Sequence, residues 1–333
     1  MNVTGGNTAK RHHFVPQSLL RGFATDSEQI TAVRLNDEHS FSTSVRKAAA
    51  QNHFYRVDVE GQEPDAFEKI LSGVEGDAAR IVRQIVEGQF PLDPDDRMAL
   101  AYFIAIQVVR GPDTRRDLEH TAAQVIRMQV GAGGRGGVKD WPKRRYGADV
   151  SDEQASRIWD EVMQPGGAQY KVSALTHIKH IVSAAQSLLP CIVGRPWSIH
   201  RFKQRSLITS DVPVNLVSHP DADDEDEDGA PWVSTGFLDA WGITFPLTRK
   251  VGLLMSDPMV VADLVPVEHL RAGRGDMNQV GTAAMEKFFN ENTASGAREW
   301  IYHHPDDVRF VPTQLPESDP LGVQVVGDPI ELD

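Results

Sequence analysis

The residue types best suited to chemistry stand together near the start of the chain, at Arg11-His12-His13-Phe14-Val15-Pro16-Gln17. Two histidines just ahead of a proline-started helix have three chemical uses. They can ligate a metal, shuttle a proton, or meet an anion at the helix N-terminus. Gln17, in the first turn, is placed to orient a ligand or a water molecule. The competing reading is that His13 caps or packs at the helix start and His12 is exposed.

Further positions carry chemistry-capable groups. Asp211 follows the apolar run Ser206-Leu207-Ile208-Thr209-Ser210, and a carboxylate at a strand exit suits a metal ligand or a general base. Ser210-Asp211-Val212-Pro213 is equally ordinary turn chemistry. Arg110 ends an apolar helix, where a guanidinium can grip a phosphate or carboxylate in two places or can simply offset the helix dipole. Gln107 lies one turn earlier on the same face and, in so apolar a helix, needs a partner. His177 and His180 share a helical face at ligand spacing, although Lys179 beside them argues for a wet face. His303-His304 is open to both readings. The one cysteine, Cys191, sits in an apolar run and reads as a buried structural thiol; alone it excludes an internal disulfide and a Cys-rich zinc site.

Other patterns fail on their chemistry. The Gly131–Gly137 stretch lacks the Gly-Lys-Ser/Thr ending of a phosphate loop, and no Gly-x-Ser-x-Gly elbow occurs. Lys143-Arg144-Arg145 between Trp141 and Tyr146 has the make-up of a small nucleic-acid contact. It reads more simply as a solvated loop.

The elements that must position these groups are read from periodicity. Residues 30–35 alternate as a strand, with 41–45 as its hairpin partner and 52–57 as a further short strand. Residues 64–87 carry one apolar helical face. Asp93-Pro94-Asp95-Asp96 has a capping carboxylate, an N-terminal proline and acids at the positive helix end, so it opens a helix over 94–110 that is apolar nearly all round and belongs at the core. Helices follow over 113–130, 151–163 and 172–189, the glycine-rich stretch acting as a hinge. From Trp197 the texture becomes short β runs at 197–202, 206–210, 241–245 and 251–255. Two late helices near 267–271 and 276–293 precede a last strand at 300–302.

Charge and composition limit the class. The net charge of −13 includes seven carboxylates between Asp221 and Asp228, so the remainder carries only −6. An acidic chain is not built for non-specific DNA coating, and the acidic run reads as a solvated loop. No apolar stretch approaches the roughly 20 residues of a membrane span, and residues 1–9 read as a polar tail rather than a signal peptide. The expectation is a cytoplasmic protein with no membrane partner.

The opening motif, with Leu19-Leu20 and Phe23 after it, resembles the start of an uncharacterised microbial family, the domain of unknown function numbered 4238. Asn52-His53-Phe54-Tyr55, Gln107-Val108-Val109-Arg110-Gly111-Pro112, Thr209-Ser210-Asp211-Val212-Pro213, Phe245-Pro246-Leu247 and Trp300-Ile301-Tyr302 follow that family's order. The resemblance covers residues 10–303 and implies a shared architecture, with no activity to carry over. The expected fold is α+β: one domain over 10–305, with a small N-terminal hairpin, a helical body over about 60–190, a β-rich part over about 196–305 and an extension over 306–333. If the fold gathers His12, His13, Gln17, Arg110 and Asp211 into one cleft, the set suits a metal-assisted hydrolase of the nuclease or phosphodiesterase kind. His12, His13 and Asp211 would then hold a divalent ion, and Arg110 would steady the phosphate of a nucleic acid or other phosphate-bearing ligand. The alternative is a non-catalytic binding or regulatory protein, in which the same residues form a structural hydrogen-bond network.

Overall fold

The computed structural model describes residues 11–56, 66–164, 170–219, 235–261 and 264–318. The tail, the acidic run and most of the C-terminal extension singled out above lie outside them. The fold is α+β, as expected. Among the described residues the chain gathers into two compact units, 11–111 with 174–318, and 112–173.

The larger unit opens with a three-residue strand β1 (Arg11–His13) and a short helix α1 (Gln17–Leu20) that runs into a 3-10 turn, Arg21–Phe23. Strands β2 (Gln29–Arg34), β3 (Ser40–Ser44) and β4 (Ala50–Asn52) follow. β2 and β3 form the anticipated antiparallel hairpin. β4 lies earlier than the strand expected over 52–57 and shares only Asn52 with it, the residues after it forming a turn. It pairs with β1, and the chain then turns at His53, whose φ of 56° is left-handed. Histidine is among the residues that tolerate that conformation better than most.

Helices α2 (Ala66–Val86) and α3 (Pro94–Val109) come next. The Asp93 side chain accepts hydrogen bonds from the amides of Asp95 and Asp96, at 3.0 and 2.9 Å, so the predicted cap is formed. α3 is buried on nearly every side from Leu100 to Val109 and packs against α2 and against α8 (Ala174–Val193). α8 runs past its expected end and includes Pro190. Cys191 on it is half-buried, not fully buried as expected.

The β-rich part holds β5 (Trp197–Arg201), β6 (Thr209–Ser210), β7 (Asn215–Val217), β8 (Gly242–Thr248), β9 (Val251–Ser256), helix α9 (Val267–Arg271), β10 (Met277–Val280), helix α10 (Ala283–Gly296) and β11 (Trp300–His303). A five-stranded sheet runs β10-β5-β9-β8-β7, and a four-stranded sheet runs β3-β2-β11-β6. Pro246 lies inside β8 without breaking it because the register shifts there, at a bulge, the place in a ladder where a residue without an N–H is tolerated. The helix expected over 276–293 divides: Met277–Val280 is an exposed edge strand parallel to β5, and only the rest is helical. One large apolar cluster joins Val15, Leu20, Leu100, Ile104, Ile181, Trp197, Phe245 and Leu253 across these elements.

The smaller unit is helical: α4 (Pro112–Gly131), α5 (Gly134–Gly137), α6 (Asp140–Tyr146) and α7 (Asp152–Met163), around Val130, Val138, Ala155 and Val162. Ser151 and Gln154 form a reciprocal capping box at the start of α7. The glycine-rich hinge contains a helical turn, and the basic stretch Lys143–Arg145 lies on α6 and not in a loop. Lys143 there pairs with Asp149 at 3.0 Å. Among the described residues no helix is long and apolar enough to cross a membrane.

Candidate functional site

Successive residues of a strand face opposite ways, and β1 separates its two histidines accordingly. His12 is fully buried and His13 half-buried. Nδ1 of His12 accepts the Tyr55 amide at 2.8 Å. That bond requires Nδ1 to be unprotonated. The left-handed turn at His53 brings Tyr55 to this position, with its ring stacked on His12 at 5.9 Å and on His177 at 6.3 Å. His13 uses Nε2 in a 3.2 Å contact with the Arg46 carbonyl, and burial pulls its pKa below the ordinary histidine value.

The end of α3 supplies the other half. The Arg110 side chain is essentially buried and reaches three groups: Glu75 of α2 at 2.7 Å, the His13 carbonyl at 2.6 Å and the Tyr55 hydroxyl at 3.4 Å. The Tyr55 hydroxyl in turn donates to the Arg110 carbonyl at 2.8 Å. Burial pushes the Tyr55 hydroxyl pKa up to about 12. For Arg110, burial works against the charge, but Tyr55 and Glu75 outweigh it and hold the guanidinium protonated. One turn earlier, Gln107 Nε2 donates to the Phe14 carbonyl at 2.8 Å. Two successive carbonyls of the motif are therefore held by two α3 side chains, while the Phe14 amide bonds the Ala49 carbonyl at 3.0 Å. The partner that Gln107 needs is the motif's backbone.

Not every predicted residue joins this assembly. Gln17 is half-buried on α1, and its amide oxygen accepts from Arg21 at 3.3 Å. Asp211 is buried in the four-stranded sheet. Oδ1 accepts the Arg298 amide at 3.0 Å, and Oδ2 accepts those of Glu299 and Trp300 at 2.8 and 3.2 Å. The carboxylate thus caps the approach to β11, and the Ser210 hydroxyl forms the expected local turn with Val212. Among the described residues no three His, Cys, Asp or Glu side chains are grouped to hold a metal ion, so the set His12, His13 and Asp211 draws no support as a metal site. His177 is fully buried and meets the Phe54 ring edge-on at 5.3 Å, which corrects the expectation of a wet histidine face. His303 and His304 are buried as well.

Sequence reasoning missed Tyr55 and Glu75 as partners of Arg110. It also missed Arg97 of α3, which is fully buried over Trp197 and pairs with Asp276 at 2.8 Å while donating to the carbonyls of Val193 and Arg195. A basic residue in the first turn of α3, where acids are favoured, was the available signal for Arg97.

No curated protein and no solved structure matches this chain. The family model described as Protein of unknown function (DUF4238) matches residues 11–307, and the chain belongs to that family.

Proposed function

We propose that this chain is a non-catalytic binding or regulatory protein, in which the His12-His13-Phe14-Val15-Pro16-Gln17 motif is a clasp that fastens the N-terminal segment to the helical core. One observation carries the reading: Arg110 and Gln107 spend their donors on the backbone carbonyls of His13 and Phe14, inside the protein. A hydrolase acting on phosphates needs donors aimed at an open space where charge develops. Arg110 is 1% exposed, and Asp211 accepts three amides of the chain itself. Such groups are paired before any substrate arrives.

The test is thermal and chemical unfolding of His13→Ala and Asp211→Ala, with metal analysis of the wild-type protein. If these residues serve the fold, His13 in the clasp and Asp211 as the cap of β11, both variants lose stability. Asp211→Ala should lose about 1–3 kcal/mol because it strands buried amides, and His13→Ala about 1 kcal/mol. Unchanged or raised stability in both variants, together with a stoichiometric bound metal, would restore the hydrolase reading, since active-site groups often carry strain.

A further inference from the structure

A second feature adjoins the clasp and does no work for it. Between α1, the turn after it, α2 and the end of β8 lies a cavity of 450 Å³. It exists because small residues face it. Gly22 packs directly on β8, where a Cβ would come within 3.0 Å of the Leu247 carbonyl and 3.1 Å of Thr248, so the turn after α1 forms one wall of the cavity with backbone. Ala78 and Ala79 leave the α2 side equally shallow. Leu19, Val82, Phe103 and Leu247 line it with hydrocarbon, and Val86 at its edge is 45% exposed. A cavity of this size and lining suits a small molecule with an apolar body.

The charges at its edge select the head group. Two guanidinium groups, Arg21 and Arg83, line the cavity against one carboxylate, Glu87. Arg21 is already paired with Glu28 at 2.7 Å. Arg83 makes no ion pair and no hydrogen bond through its guanidinium among the described residues, although Glu87 stands one helical turn away. The exposed guanidinium of Arg83 beside an apolar cavity complements a single anionic group. We infer that this cavity binds an amphipathic monoanion, a medium-length alkyl or aryl carboxylate, with its apolar body against Phe103 and Leu247 and its head on Arg83. The inference stands on the cavity alone, and its failure would leave the reading of the clasp untouched.

Calorimetric titration of the whole protein with decanoate, decanol and decyltrimethylammonium tests it. Decanoate should bind saturably at one site and about tenfold more tightly than decanol, and the cationic amphiphile should bind more weakly than both. Arg83→Gln, an exposed change that leaves the fold intact, should erase the preference for decanoate over decanol. Ala79→Trp, if its melting temperature matches wild type, should abolish binding by filling the cavity; if it unfolds, Arg83→Gln decides. Absence of saturable binding, equal binding of the three probes, or decanoate binding that ignores Arg83→Gln would each overturn the proposal.

Discussion

At the scale of single residues, the polar groups near the motif differ in how completely they are satisfied, and that sets what each is worth. Tyr55 both donates to the Arg110 carbonyl and accepts from the Arg110 guanidinium. Tyr55→Phe removes both bonds and leaves a buried carbonyl without a donor, so it should destabilise by about 1–2 kcal/mol. Gln107 differs, because its amide nitrogen serves the Phe14 carbonyl while its buried oxygen has no hydrogen-bond partner among the described residues. Gln107→Leu strands the Phe14 carbonyl but also removes one unsatisfied atom, so the loss should be smaller than for Tyr55→Phe, about 1 kcal/mol. Urea unfolding of the two variants checks the order; a larger loss for Gln107→Leu would mean that its oxygen is satisfied after all. The importance of Gln107 was legible, since a lone amide in an apolar helix demands a partner. The identity of that partner was not, because a backbone carbonyl 93 residues away leaves no mark on sequence spacing. Glu75 was hidden for a related reason: on α2 it occupies a polar position of an ordinary amphipathic pattern.

At the scale of elements, the parts whose physics is local were the readable ones. α2 has its apolar stripe, α3 its cap and proline, and the β2–β3 hairpin its alternation. Asp93→Ala tests this locality. It removes a cap that holds two amides and should cost about 1 kcal/mol in unfolding free energy. No measurable loss would show that α3 is held by packing alone. Elements that depend on distant pairing were misread. β1 and β4 are three residues each and polar, and they are strands only because each pairs with the other. Met277–Val280 lacks alternation and joins the sheet only through β5, so its sequence reads as the start of the following helix. α6 was obscured by its basic, aromatic composition, which suggests a surface patch before it suggests a helix.

At the scale of the whole molecule, buried histidines make stability depend on pH. Burial lowers the pKa values of His13, His180, His200 and His303 below the ordinary 6.5. Below that value the unfolded chain takes up protons that the folded chain refuses, so stability falls as the pH drops from about 6.5 toward the folded-state values. The carboxylate Asp96, held low by its hydrogen bond with Arg80, matters only in more acid solution, below its ordinary 3.8. The melting temperature should therefore fall between pH 7.5 and 5.5, and His13→Gln should flatten part of that slope. A melting temperature that is flat across this window would mean that the histidines protonate freely in the folded state. The α+β class was legible from the change of texture at Trp197. The division into two units was not, because the conspicuous break in composition, the glycine-rich stretch, lies inside the smaller unit and not at its boundary.

The central claim is that Arg110 fastens the motif to the core. The most direct measurement is the unfolding free energy of Arg110→Met, which keeps the bulk of the side chain and deletes its donors. The account predicts a loss of about 3 kcal/mol or more, because Glu75, the Tyr55 hydroxyl and the His13 carbonyl all lose a charged partner inside the protein. Stability equal to or above wild type would contradict it, since the guanidinium would then be held at a cost to the fold, as a group kept for a ligand would be.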